Sequence, residues 1–213
     1  MMATALEALA RLQAGNQRFV AGQGTAAAQS APGRRDELVT GQAPFAVVLG
    51  CSDSRVPAEI VFDQGLGDLF VIRVAGNVVA PSQIGSVEFA VDRFGTRLVV
   101  VLGHSQCGAV QATIEELKRP SANRSPNLGS IVNRIRPAVE PLVELAALDD
   151  QDGSDGLMNR AVRANIRAAA DRLRHGSQIL EQMITEQGLL VVGAEYSLET
   201  GEVEFFDGAP PTP

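Results

Sequence analysis

Short, continuously apolar runs constrain this chain more than any other feature. Residues 45–50 are apolar throughout and stop at Gly50, and residues 98–102 repeat the pattern. Runs of this length without polar alternation suit strands that are buried on both faces, as in a parallel sheet. Residues 69–74 and 189–192 give two further strands. Residues 203–206, after a Glu-Thr-Gly turn, give a short edge strand. Helical patterns lie between them, over residues 82–94, 108–119, 128–145, 158–174 and 177–186. Pro137 and Pro141 are expected to kink or split the third of these. The expected fold is α/β: a mostly parallel central sheet of about four strands plus the edge strand, flanked by helices.

Ahead of this pattern, Leu6, Leu9, Leu12 and Phe19 fall near helical spacing, which predicts an amphipathic helix over residues 3–20. Residues 21–33, rich in Gly, Ala and Ser, read as a connector, and residues 34–40 as a second short helix. The division expected is an N-terminal helical arm over 1–44, a domain over 45–208 and a flexible tail over 209–213. Residues 149–156 read as an acidic, glycine-containing loop.

With 213 residues, the chain buries enough surface to fold without a disulfide or metal. Its 45% hydrophobic content excludes wholesale disorder. A net charge of −7 disfavours nucleic acid or an anionic membrane as a partner. No apolar stretch approaches the roughly 18 residues of a membrane helix. The N-terminus carries Glu7 and no basic start before an apolar run, so no secretory leader is expected. A cytoplasmic location follows as an expectation, with reduced thiols. Cys51 and Cys107 are then inert core residues, a redox pair or metal ligands.

Their neighbours narrow the choice. Gly50-Cys51-Ser52-Asp53-Ser54-Arg55 directly follows the first strand, and Gly103-His104-Ser105-Gln106-Cys107-Gly108 directly follows the third. Open parallel sheets collect chemistry at the carboxyl ends of their strands. If the two strands are neighbours, Cys51, Asp53, His104 and Cys107 meet in one crevice. Thiolate sulfur and imidazole nitrogen suit zinc, and three such ligands leave a fourth position for water or for Asp53. A lone strand-end cysteine is more often core, and a Cys51/Cys107 redox pair lacks the C-x-x-C spacing. Both turns together favour metal.

These residues resemble a known family. Cys51-Ser-Asp-Ser-Arg55 with Gly103-His104-x-x-Cys107-Gly108 is similar to the paired motifs of β-class carbonic anhydrases. The resemblance extends through the DQGLGDLF run from Asp63 to Phe70, Ala75-Gly76-Asn77, the GSVEF run from Gly85 to Phe89, Val192-Gly193-Ala194 and Thr200-Gly201. It implies that Cys51, His104 and Cys107 hold zinc, with Asp53 and Arg55 as a carboxylate–guanidinium dyad. Held by Arg55, Asp53 would orient a zinc-bound hydroxide that attacks carbon dioxide; released, it would become a fourth ligand in a closed site, which activity rising with pH would reveal. Gln42, contributed to a partner's site, Phe70, Phe89 and the Gly108 N–H would form the substrate pocket. Phe89 stands where other members carry Tyr, so a phenol donor is missing. Val48 stands where members with a regulatory bicarbonate site carry Trp, so no such switch is expected. A homodimer, or a tetramer built from dimers, with the N-terminal helix crossing to the partner, is also implied.

Other residues read more simply. His175, a proton shuttle at most, sits where a helix end favours a cation. Arg160, Arg163, Arg167 and Arg174 read as a solvated face rather than an anion-binding stripe. Asp63 and Asp68 fit turn or cap roles, and Ser52 and Ser54 fit hydrogen-bonding roles. Alternatives to carbon dioxide hydration are hydrolysis of carbon disulfide or carbonyl sulfide, and a non-catalytic zinc scaffold. The scaffold leaves the Asp53–Arg55 pair without a purpose.

Overall fold

A computed structural model describes residues 3–25, 32–120, 125–148 and 153–210. Its elements in chain order are α1 (Ala5–Val20), α2 (Pro32–Leu38), β1 (Ala46–Gly50), α3 (Ala58–Val61) and β2 (Leu69–Arg73), a 3-10 turn over Ala75–Asn77, then α4 (Pro81–Phe94) and β3 (Leu98–His104). There follow α5 (Gly108–Lys118), α6 (Pro126–Leu148), α7 (Gly153–His175), α8 (Gln178–Gln187), β4 (Leu190–Tyr196) and β5 (Val203–Asp207). The sheet order is β2-β1-β3-β4-β5. The first four strands are parallel, and β5 pairs antiparallel with β4 at the edge.

The unbroken apolar runs are explained by burial on both faces. Val47, Leu49, Val99 and Val101 belong to one core cluster, with Val91, Ile135, Ile166 and Leu173 from the helices α4, α6 and α7. Their alternates Val48, Val100 and Leu102 belong to a second cluster, with Leu9 and Leu12 of α1 and Phe62 after α3. The period of two along each strand sends successive side chains to opposite faces, so each run feeds two cores. Leu9 and Leu12 are thus buried within the chain itself, each contributing about 2 kcal/mol, while Leu6 stays 59% exposed. A capping box of Thr4 and Glu7 starts α1. At its other end, buried Asn16 donates to the Val61 and Gly201 carbonyls and accepts from the Val203 N–H.

Some expectations change in detail. The helix carrying Pro137 and Pro141 runs unbroken from Pro126 to Leu148. Both prolines are exposed, on the side where carbonyls left without an N–H partner can meet water. Residues 153–156, expected in a loop, form the first turn of α7; 149–152, part of the connector (26–31) and the end of the tail (211–213) lie outside the described residues. The arginine stripe is not simply a solvated face. Arg163 pairs with Glu204 and Glu195 and lies 3.8 Å over the Phe206 ring. Arg174 donates to Asp207 and to the Val191 carbonyl. These arginines clasp the edge strand β5 against α7. Asp68 holds its turn as expected, accepting from the Gly65 N–H, whereas the Asp63 carboxylate accepts from the distant Thr25 N–H. Asp63 and Asp68 also pair with Arg18 and Arg11, which ties α1 to the loop before β2. Among the described residues no helix is long and apolar enough to cross a membrane.

Candidate metal centre

The strand order decides where the site forms. From β1 the chain goes to β2 on one side, then returns past β1 to β3 on the other. A crevice opens where neighbouring strands lead their chains in opposite directions. Gly50 pairs with Leu102, so Cys51 and His104 leave adjacent strands at nearly the same level. Cys107 follows one turn later as the N-cap of α5.

Ligand atoms of Cys51, His104 and Cys107 lie within 4.8 Å of one another, and all three residues are buried. The backbone orients each of them. His104 Nδ1 lies 2.8 Å from the Ser105 carbonyl, which can only accept, so Nδ1 carries the proton and Nε2 presents its lone pair. That Nε2 is buried without a hydrogen-bond partner. A buried polar atom normally has one. The Gly76 N–H donates to Cys51 Sγ at 3.3 Å. Gly76 has φ 68°, a left-handed conformation that favours glycine, and its carbonyl accepts from buried Asn165 at 2.9 Å.

The electrostatics favour a cation among these groups. A hydrogen bond from the Cys107 thiol, with help from His104 and the Gly76 N–H, brings Cys51 down to about 4 despite burial. The same Cys51 thiolate, together with burial, pushes Cys107 up. The two thiols titrate as a pair, and a metal ion binding there would displace the protons they hold. Burial works against a charged His104, but the neighbouring Cys51 thiolate outweighs it and the net shift is upward. One imidazole and two thiols, with an orphaned nitrogen aimed among them, fit zinc in donor type and number.

Asp53 stands beside this cluster. Its Oδ2 lies 3.8 Å from His104 Nε2. Arg55 grips the carboxylate from Nε at 2.9 Å, from Nη2 at 2.8 Å and from its backbone N–H at 3.0 Å. Those hydrogen bonds keep Asp53 well below the usual carboxylate range.

Sequence reasoning missed Arg73, which closes β2 and donates to the Cys51 carbonyl at 3.0 Å and to the Asp53 carbonyl at 2.6 Å. A charged residue ending an otherwise apolar strand was its only signal. Asn165 lies on α7, far along the chain, and carried no local signal.

The residues expected to meet substrate are placed differently. Phe70 packs against Phe89 and Phe94, with ring centroids 6.2 and 6.0 Å apart. Phe89 is 54% exposed. Gly108 opens α5 beside Cys107. Gln42 is exposed and lines a separate groove with Arg35, Leu38, Thr40 and Leu66. Val48 is fully buried in the core on the α1 side of the sheet. His175 is exposed and paired with Asp171 on its own helix.

Comparison with known proteins agrees with this geometry. The carbonic anhydrase family profile matches residues 46–203, which contain both metal-site turns. The chain belongs to the β-class carbonic anhydrase family. Carbonic anhydrase 2 of Mycobacterium tuberculosis is 39% identical over 92% of this chain and 90% of its own. The β-carbonic anhydrase of Aspergillus fumigatus is similar in structure, with TM-score 0.72 and 27% identity over 95% of this chain and 92% of that one. A tetrameric β-carbonic anhydrase from Sordaria macrospora shares the fold at TM-score 0.73 and 24% identity, over 91% of this chain and 93% of that one. Family membership makes this chain an enzyme of the carbonic anhydrase type.

Proposed function

We propose that this enzyme reversibly hydrates carbon dioxide to bicarbonate and a proton, with zinc held by Cys51 Sγ, His104 Nε2 and Cys107 Sγ. The observation that carries this reading is the buried Cys51/His104/Cys107 cluster with an unpartnered imidazole nitrogen, beside a carboxylate gripped by Arg55. Zinc so bound would bring the pKa of a water molecule toward neutrality and supply hydroxide for attack on carbon.

The remaining work belongs to the protein. Asp53, kept ionised by Arg55, only accepts hydrogen bonds, so it orients a proton-bearing group in the pocket and is too weak a base to take the proton. The three hydrogen bonds from Arg55 engage both carboxylate oxygens, and Asp53 would have to leave them to bind a metal held by the cluster. Phe70 and Phe89 give the small apolar substrate a slot without a phenol donor, and the Gly108 N–H offers a nearby dipole. Gln42, on its separate groove, serves the site of a second copy. That arrangement needs a homodimer, two of which would form a tetramer. The described part of residues 1–44 then turns its exposed side, which includes Leu6, to the partner, and 45–208 form the catalytic domain. With Val48 where members with a regulatory bicarbonate site carry Trp, no switch of that type is expected. The enzyme works in the cytoplasm, with its thiols reduced.

Metal analysis with stopped-flow carbon dioxide hydration tests the reading. The wild type is expected to hold one zinc per chain, and Cys51→Ser to lose metal and activity together. A fully active Cys51→Ser enzyme, or an active wild type without zinc, would overturn it.

A further inference from the structure

The two halves of the metal pocket are anchored differently, and the His104–Cys107 half leans on a distant turn. Only Ser105 and Gln106 separate those two ligands. Gln106 has φ 53°, in the left-handed region that a residue with a side chain rarely occupies. Such a conformation persists only where surrounding contacts hold it.

The contacts come from the β4–β5 connection. Ser105 N–H donates to the Tyr196 carbonyl at 2.9 Å, at the end of β4. Ser105 Oγ accepts from the Leu198 N–H at 3.0 Å and donates to Glu199 Oε2 at 2.9 Å. Gln106 Nε2 donates to Glu199 Oε1 at 2.8 Å. Ser197 Oγ donates to the same carboxylate at 3.2 Å, fixing it on its own turn. One carboxylate thus grips both residues between the ligands. The grip reaches the imidazole directly, because the Ser105 carbonyl receives the His104 Nδ1 proton. Glu199 itself is exposed.

We infer that Glu199 is a positioning residue for the metal pocket, clamping Ser105 and Gln106 so that His104 Nε2 and Cys107 Sγ keep a zinc-binding separation. The inference rests on reading Cys51, His104 and Cys107 as the zinc ligands. Without Glu199, the Ser105 hydroxyl and Gln106 amide turn to water and Gln106 can relax from its left-handed conformation. The imidazole and the Cys107 sulfur then fluctuate relative to each other. The Cys51 half, held by Gly76 and Arg73, is untouched.

The test is zinc release to a chromogenic chelator from the wild type, Glu199→Ala, Glu199→Gln and Glu202→Ala. Supporting contacts behind metal ligands typically change affinity by about 10–100-fold, so Glu199→Ala is expected near the lower end, about 10-fold faster. Glu199→Gln keeps an acceptor and falls between wild type and Ala. Glu202→Ala removes the same charge from the same turn and releases zinc at the wild-type rate. In the zinc-free protein, Glu199→Ala is expected to speed amide exchange at Ser105 and Leu198, whose N–H groups are hydrogen-bonded across the clamp, but not at Gly76, with the unfolding midpoint unchanged. Wild-type zinc release from Glu199→Ala, or equal acceleration by Glu202→Ala, overturns the clamp and leaves the zinc reading standing. A wild-type protein that takes up no zinc overturns both.

Discussion

The metal side and the substrate side of this site are built to different standards of completeness. Cys51, His104 and Cys107 are 5%, 0% and 1% exposed, and hydrogen bonds within the chain orient them. Phe89 is 54% exposed and Gln42 faces a different groove. The difference follows from what each side requires. A thiolate–imidazole cluster needs fixed distances and exclusion of water, which two adjacent buried strands of one chain can supply. A slot for a small apolar molecule needs an apolar cover, which the proposed second copy would supply. On the proposed reading the single chain would carry a whole metal site and half of a substrate site.

The largest effect should come from cutting the link between the two sides. Arg55 supplies three hydrogen bonds to Asp53. Arg55→Ala keeps only the backbone N–H contact and frees the carboxylate to turn toward the cluster. Losing a bidentate charge-assisted pair in a site of this kind should lower kcat/KM by about 100-fold. Zinc content should stay at the wild-type level. Loss of zinc in step with activity would show that the dyad belongs to the metal side after all.

Packing beneath the metal side gives the next effect. A Cβ on Gly103 would collide with Ile166 Cδ1 and Cγ1. Ile166 is fully buried and has nowhere to move. Gly103→Ala should therefore cost about 1–3 kcal/mol through overpacking, measured by denaturant unfolding of the zinc-free protein. An unchanged midpoint would mean that β3 and α7 tolerate more separation than a close-packed core allows.

These effects also show which parts of the molecule were legible from sequence. Residues 45–50 and 98–102 revealed buried strands because burial on both faces erases polar alternation. The two turns were legible because they pair: a thiol at one strand exit and an imidazole with a thiol at another favour metal together where either alone would read as core. Asn165, Arg73 and Glu199 act through contacts between distant segments; only Arg73, a charge ending an apolar strand, carries any local mark. Pro137 and Pro141 misled because proline breaks a helix only where its lost hydrogen bond matters, and both lie on the solvent side. The arginines of α7 misled in the opposite sense: their helical spacing matched a solvated face, yet β5 returns across them and turns Arg163 and Arg174 into a clasp.

On the substrate side, Gln42→Ala is the sharper probe. If a second copy's Gln42 reaches the pocket, its loss removes one neutral hydrogen bond to substrate and lowers kcat/KM by about 10-fold. Zinc content and zinc release should not change. An equal loss of zinc would place Gln42 with the metal side, and no loss of activity would remove it from the substrate side.

The smallest effect is expected at His175. Its imidazole is exposed and its Nδ1 lies 3.0 Å from Asp171 on the same helix. An exposed pair of this kind is worth little, so His175→Ala should leave stability within about 0.5 kcal/mol of wild type. A histidine that relays protons to buffer would show itself otherwise: the substitution would lower kcat, leave kcat/KM intact and be rescued by added imidazole. Stopped-flow hydration at low and high buffer concentration separates the outcomes. Equal rates for His175→Ala and wild type at both concentrations keep proton release on the open substrate side, whereas a buffer-dependent deficit would extend the catalytic machinery to the far end of α7.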